Sequence, residues 1–230
     1  MHDALLFLLT LLIVNACTVL STVLSKSGLV QSYTSRKFVH ISLGTAQLLL
    51  WGLYSADPAA RLWGNLCCAL YAVVFLVYGL GLLPGTIADF LIATVCRHGD
   101  FREMLYGPLI YCCTIVALGL TFWRDYPAAV VGMMVMLTGD GMAEIIGKFI
   151  GKTLVVNPWG KQKTVEGACA VFVCGALGAM VACGCIFGEP HVLLALVGGA
   201  VGAVAEFVSP PNFDNLCIPL SVLPLGLFIE

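Results

Sequence analysis

ALLFLLTLLIVNACTVLSTVL, Ala4 to Leu24, runs for twenty-one residues without one charged side chain. Crossing the hydrocarbon core of a bilayer takes about 20 predominantly apolar residues in a helix, so this stretch is long enough to span. The residues before it, Met1-His2-Asp3, carry no Lys or Arg, and Lys26 follows the run instead of preceding it. A secretory leader has the opposite arrangement. The stretch therefore reads as a retained first span.

The rest of the chain repeats the pattern. Of 230 residues 60% are hydrophobic and only 10% charged, whereas soluble domains carry about 25% charged residues. This composition excludes a soluble enzyme and a disordered tail, and a net charge of −2 offers no basic surface for nucleic acid. Further spans are expected near Phe38–Tyr54, Trp63–Leu83, Leu105–Phe122, Pro127–Gly147, Val165–Phe187, His191–Val208 and Leu216–Ile229. The expected fold is all-α: a polytopic integral membrane helix bundle of about seven to eight spans, forming a single membrane domain over residues 1–230. Pro84–Cys96 is apolar but short and contains Asp89, which suits an interfacial or re-entrant helix. The eleven cysteines are odd in number and form no C-x-x-C pair. Most lie inside apolar runs, where cysteine serves as a small hydrophobe.

Basic residues orient such a bundle, because Lys and Arg collect in cytoplasmic loops. On these spans Lys26, Arg36, Lys37, Arg97, Arg102, Lys148, Lys152, Lys161 and Lys163 fall on one side and only Arg61 and Arg124 on the other. A membrane-crossing Pro84–Cys96 would reduce that nine-to-two split to seven against four. The expected topology has the N-terminus outside and the basic loops cytosolic.

Four polar segments interrupt the apolar pattern: Arg36–His40, Arg97–Glu103, Gly139–Glu166 and Asp214-Asn215. In this topology all four reach the cytosolic interface, where they could build one site. Asp140, Glu144, Gly147 and Gly151 recur at spacings of four, three and four, which puts them on one helix face. Carboxylates at a membrane boundary are expensive unless they bind something. Hard oxygen donors suit Mg²⁺, which takes one or two carboxylates and leaves its other positions to water and phosphate. Lys152, Lys161 and Lys163 follow, point charges suited to phosphate oxygens, so the set suggests a Mg-nucleotide or a pyrophosphate. The plainer alternative is that Gly147-x-x-x-Gly151 is a helix-packing pattern and the lysines only orient the chain. Gly147-Lys148-Phe149-Ile150-Gly151-Lys152-Thr153 ends like a phosphate-binding loop, but that motif needs four residues between its glycines and a preceding strand.

Arg36 and His40 stand one helical turn apart at the start of the second span. They read either as a cytosolic flank with a snorkelling histidine, or as a phosphate-binding arginine (with Lys37) beside a histidine near a reacting hydroxyl. Glu206 is the most isolated carboxylate in the chain. It is expected to be either a neutral buried acid or the partner of a cation on a neighbouring helix.

Taken in order, the segments Arg36-Lys37-x-x-His40, Arg97-x-Gly99-x-x-Arg102-Glu103-x-Leu105-x-Gly107-Pro108-Leu109-x-Tyr111, Gly139-Asp140-Gly141-x-Ala143-x-x-x-Gly147, Lys163-Thr164-x-Glu166-Gly167 and Asp214-Asn215-Leu216 resemble the polyprenol kinase family. The resemblance covers about residues 36–220, a kinase-like core preceded by the first span and a cytosolic loop over 1–35. The Arg-Glu-x-Leu-x-Gly-Pro-Leu stretch resembles the phytol and farnesol kinase branch, whereas the Lys-Thr-x-Glu-Gly form resembles the dolichol kinases. The resemblance implies a kinase that uses a nucleoside triphosphate, typically CTP, with Mg²⁺ to phosphorylate an isoprenoid alcohol drawn from the bilayer. It implies that Asp140, with Glu144 or Asp214, holds the metal. Lys163 and Arg36 would neutralise the transferred phosphoryl group, with Lys37 and Arg102 in support, and Arg97 and Lys161 would bind nucleotide phosphates. Gly139 and Gly141 would flank the nucleotide phosphates, Glu166 would belong to the catalytic set, and Thr164 and Asn215 could read base or ribose. His40 or Asp214 would orient or deprotonate the hydroxyl.

A cytidylyltransferase acting on a lipid phosphate has similar requirements. A transporter would use Glu206 and Asp89 as coupling groups, but such folds show repeats and midplane polar sites, and no repeat is visible here. The endoplasmic reticulum is the expected membrane, with a plastid membrane as the alternative.

Overall fold

The computed structural model describes residues 1–82, 95–96 and 100–229. The expected interfacial segment Pro84–Cys96, apart from its last two residues, lies outside the described residues, as does Arg97. The fold is an all-α membrane helix bundle, and each of the eight expected spans coincides with a helical element. Among the described residues five helical stretches are long and apolar enough to cross a membrane: His2–Lys26, Ala60–Gly79, Phe101–Phe122, Pro127–Phe149 and Val165–Phe187. Val192–Val208 and Asp214–Leu227 are shorter apolar helices.

The chain divides into two compact units, one of Met1–Leu50 with Tyr54–Leu120, the other of Trp51–Leu53 with Thr121–Glu230. In the first unit, α1 (His2–Lys26) packs on α2 (Ser32–Leu50) and α3 (Ala60–Gly79), and α4 (Gly107–Phe122) follows a 3₁₀ turn over Phe101–Leu105. The burial pattern of α1 is the reverse of a soluble helix. Leu5, Leu8, Leu9, Leu12, Val19, Leu20 and Val23 are exposed, whereas Thr10, Thr18, Ser21 and Thr22 are buried. Small hydroxylated residues let helix backbones approach within a membrane, where leucine gains nothing by facing protein instead of lipid. The threonine hydroxyls are satisfied within the helix, Thr10 donating to the Leu6 carbonyl at 2.9 Å and Thr18 to that of Val14 at 2.8 Å. Ser21 and Ser35 join α1 to α2, the Ser21 hydroxyl donating to the Ser35 carbonyl at 2.9 Å and the Ser35 hydroxyl to the Ser21 carbonyl at 3.0 Å.

α2 starts at Ser32, six residues before the apolar run at Phe38. Ser35, Arg36 and Lys37 thus lie within the helix and not in a loop ahead of it, and Lys37 is buried.

In the second unit, α5 (Pro127–Met134) runs through a π-helical turn (Val135–Asp140) into α6 (Gly141–Phe149). Pro127 opens α5 at a position where its missing N–H costs nothing. A two-stranded hairpin follows, β1 (Leu154–Val156) antiparallel to β2 (Gln162–Thr164), with Val155 opposite Lys163. α7 (Val165–Phe187) is the hub, packing on α5, the π turn, α6 and α8 (Val192–Val208). α9 (Asp214–Val222) packs on α5, α8 and the π turn. All eleven cysteines are free thiols.

Close contact between α7 and α8 depends on Gly199, where an added Cβ would stand 2.8 Å from the Phe172 carbonyl oxygen and 3.2 Å from Ala176 Cβ. Gly199→Leu is expected to lower stability by ~1–3 kcal/mol through overpacking. Gly184→Ala, which meets nothing within 4 Å, should be close to neutral. Thermal unfolding in detergent, followed by helical circular dichroism, separates the two.

Candidate functional site

The second unit brings the third and fourth polar segments together. The π turn ends on Asp140, which is 5% exposed. Such turns insert one extra residue per turn into a helix and frequently mark functional positions. Here the turn is held by Thr138, whose hydroxyl bonds the Met134 carbonyl at 2.8 Å and, on α7, the Cys174 carbonyl at 2.9 Å. At Gly139 an added Cβ would stand 2.7 Å from the Val171 carbonyl oxygen, so glycine lets the turn lie against α7. Gly141 is buried at the start of α6.

Lys163 projects from β2 onto α8. Its ammonium lies 2.7 Å from Glu206 Oε1 and also donates to the Glu206 backbone carbonyl. Glu206 is 8% exposed. Asp140 and Asp214 both lie within electrostatic range of the Glu206 carboxylate, and α9, which Asp214 begins, packs on the π turn that Asp140 ends. Three carboxylates and one lysine therefore share one neighbourhood. Asp214 accepts from the Asn215 N–H at 2.9 Å, and Asn215 is buried.

The segment leading into α7 is built around Thr164. Its hydroxyl caps α7 by accepting the Gly167 N–H at 3.1 Å. An added Cβ at Gly147 would stand 2.8 Å from the Thr164 hydroxyl oxygen, one at Gly167 2.9 Å from the same atom, and one at Gly151 2.7 Å from Thr164 Cγ2. These glycines therefore accommodate a cap. α6 stops at Phe149, so Gly151 lies beyond the helix and does not extend the face of Asp140, Glu144 and Gly147.

Other expected site residues have structural partners. Glu144 pairs with Lys148 one turn on, 2.8 Å apart. Glu166 accepts the Thr153 N–H and hydroxyl, each at 3.2 Å, tying the segment before β1 to the start of α7. Lys161 is exposed, its backbone N–H held by Asn157 Oδ1 at 2.9 Å. Asn157 also accepts from the Trp159 N–H at 3.0 Å, and the Trp159 indole donates to the Val208 carbonyl at 2.9 Å, which ties the hairpin loop to the end of α8.

In the first unit, Cys96 lies within electrostatic range of Arg36, Asp100 and Glu103. The first and second polar segments therefore approach one another. The His40 ring lies tilted at 48° against that of Tyr111, with centroids 4.5 Å apart. The Tyr111 hydroxyl donates to the His40 carbonyl at 2.6 Å and accepts the Gly44 N–H at 2.9 Å, so it bonds both ends of one turn of α2. Arg102 is exposed, its N–H held by Asp100 Oδ1 at 2.9 Å.

The donor chemistry of the second unit fits Mg²⁺. Asp140 and Asp214 carry hard oxygen donors on adjacent elements, and one or two carboxylates are what Mg²⁺ takes when phosphate supplies further oxygens. Among the described residues no group of three or more His, Cys, Asp or Glu is arranged to hold a metal by protein ligands alone.

Comparison with known proteins gives related sequences. The chain is 32% identical over 218 residues to a protein named probable phytol kinase, chloroplastic, of Triticum aestivum, covering 90% of this chain and 70% of that one. It is 31% identical to probable phytol kinase 3, chloroplastic, of Glycine max, covering 89% and 66%. Against the farnesol kinase, chloroplastic, of Arabidopsis thaliana it is 31% identical over 182 residues, covering 78% and 57%. No family model and no solved structure matches the chain.

The Thr164 cap is open to a direct test. Thr164→Ala should cost about 1 kcal/mol, as for other helix N-caps, with faster amide exchange over the first turn of α7. Thr164→Ser, which keeps the acceptor oxygen, should retain most of both.

Proposed function

The chain belongs to the polyprenol kinase family, and from that premise we propose that it transfers the γ-phosphoryl group of CTP to an isoprenoid alcohol of the phytol or farnesol class. Enzymes of this family are phosphotransferases with an alcohol acceptor. The observation that carries the reading for this chain is the gathering of Asp140, Asp214, Glu206 and Lys163 at one place in an apolar bundle. A phosphoryl-transfer enzyme needs positioning and charge stabilisation more than covalent chemistry, and this cluster offers both.

In the proposed reaction the alcohol oxygen forms a bond to the γ-phosphorus, the bond to the bridging oxygen of the nucleoside diphosphate breaks, and the hydroxyl proton passes to a base. Asp140 and Asp214 are the proposed ligands of Mg²⁺, which when bound would offset charge on the β- and γ-phosphates. Glu144, already paired with Lys148, is the alternative second carboxylate. Lys163 faces the transferred group, while Lys161 and the start of α7 at Thr164 serve the nucleotide, with Gly139 and Gly141 beside it. Glu166 supports the site through Thr153. By their motifs Arg36, Lys37, Arg97 and Arg102 are proposed for phosphate oxygens, and His40 or Asp214 for the hydroxyl. The proposed location is a plastid membrane: the relatives are named chloroplastic, and nothing in them favours the endoplasmic reticulum expected from the sequence.

Incubation of the purified protein with Mg²⁺, γ-labelled CTP or ATP, and phytol, farnesol, geranylgeraniol or dolichol should label a phytol- or farnesol-class alcohol with CTP as donor and release CDP. Pyrophosphate release would instead indicate nucleotidyl transfer, and no labelled lipid would refute the reading. Asp140→Asn should abolish Mg²⁺-dependent transfer while the protein remains inserted and helical. Normal turnover by that variant would remove Asp140 from the metal site.

A further inference from the structure

Glu206 is buried near the C-terminal end of an otherwise apolar helix, Val192–Val208, where an ionisable side chain is costly unless a partner or a function retains it. Its carboxylate lies 2.7 Å from the Lys163 ammonium, and its own backbone carbonyl accepts a second bond from the same ammonium. A lysine ammonium has three N–H donors and no acceptor, so one residue of α8 takes two of the three.

We infer that Glu206 is a positioning residue that holds the Lys163 ammonium for the transferred phosphoryl group and keeps it off Asp140 and Asp214. The inference rests on the kinase reading and deepens it. Three observations support it. First, Lys163 sits on a three-residue strand and is only partly buried, and without an anchor its long stem would sample many rotamers. Second, both Asp140 and Asp214 are within electrostatic range of Glu206, so an ammonium released from Glu206 would find a carboxylate of the metal set close by. Third, a buried ion pair is a poor source of stability, since an apolar pair of similar volume commonly serves as well. Fold stability alone therefore does not account for this one.

The pair also divides the three carboxylates by role. Glu206 is committed to the lysine through side chain and backbone together, and Asp140 and Asp214 are the proposed ligands of the cation. Lys163 retains one N–H for a phosphate oxygen, directed by two bonds already made.

The test compares wild type with Glu206→Gln in phospholipid nanodiscs, reading transfer to phytol and, independently, equilibrium binding of labelled CTP across a Mg²⁺ titration. Glu206→Gln removes the charge at nearly constant volume. It is expected to raise the Mg²⁺ concentration needed for half-maximal CTP binding by about tenfold, the size of a lost charge-assisted hydrogen bond, with helical content unchanged. A merely structural role would change the yield or melting of the protein and leave that midpoint in place. The double variant Lys163→Met/Glu206→Gln should be no worse than Lys163→Met alone, because residues acting as one unit are not additive. An unchanged Mg²⁺ midpoint, or losses that multiply in the double variant, would overturn the inference. If Glu206→Gln does not accumulate in the membrane, Glu206→Asp, which keeps the charge on a shorter stem, decides. A midpoint shifted in the same direction supports the role, and a wild-type midpoint ends it. Wild-type protein that phosphorylates no prenol would sink the kinase reading itself, whereas active wild type with an indifferent Glu206→Gln sinks only this inference.

Discussion

A partly buried lysine and a buried glutamate held 2.7 Å apart constrain the second unit. The glutamate charge is costly alone at such a position, because desolvating an ion costs several kcal/mol that only a close, hydrogen-bonded partner offsets. The two residues are on different elements, β2 and α8, and 43 residues apart in sequence. Their pairing therefore fixes where the hairpin lies on the bundle. The Trp159 indole bond to the Val208 carbonyl fixes the same hairpin a second time, half a turn further along α8. Between them the hairpin is held at its loop and at its last strand, and Thr164 passes directly from that strand into the cap of α7.

What lets these elements approach is the absence of side chains at a few positions. Gly147, Gly151 and Gly167 surround one threonine, and Gly139 lets the π turn rest on α7. In water a helix gains by burying leucine. Here leucine is as content in lipid, and the close approach is made by Gly, Ala, Ser and Thr. α1 follows the same logic in the first unit, where its threonines face the protein and most of its leucines, Leu6 excepted, are turned outward or only partly covered. The membrane sets which face of each helix packs, and the small residues set how closely.

Much of this architecture is legible in the sequence because span length is a property of local composition. All eight apolar runs are helices, and the cysteines inside them are free thiols. The start of α2 is different: its first turn is polar, Ser32 to Lys37, and helix formation there draws on the Ser21–Ser35 contact with α1, which no local pattern reveals. The site was legible as a set of residue types and not as a set of partners. Asp140 and Glu144 have the spacing of a carboxylate pair, yet Glu144 has a lysine four residues on and Asp140 is buried at the end of a π turn that packs on α7 and α9. Glu206 stands out in sequence as a lone carboxylate in an apolar helix, and a cation partner was one of its two expected explanations. That the cation is Lys163 depends on the hairpin's register, Val155 opposite Lys163, and register is a tertiary property. The bonds Tyr111 makes across one turn of α2 have no sequence signal beyond the motif that contains it.

The cost of placing these charges in a poorly solvated place also makes them useful there. A Coulomb interaction that water screens to about 1 kcal/mol at 4 Å is several times larger at the effective dielectric of a protein interior. Dipoles and charges already fixed before the substrate arrives need no reorganisation when charge moves. Phosphoryl transfer moves charge from a γ-phosphate toward a departing diphosphate, so it gains from that fixed arrangement. The acceptor in the proposed reaction carries one hydroxyl on a long hydrocarbon, and its tail is as stable beside the exposed apolar faces of the helices as it is in the bilayer. Only the hydroxyl has to reach the ionic cluster. A soluble kinase would have to extract the entire chain into a pocket of its own, whereas a bundle with a carboxylate and lysine cluster among its apolar helices has only to receive the polar end.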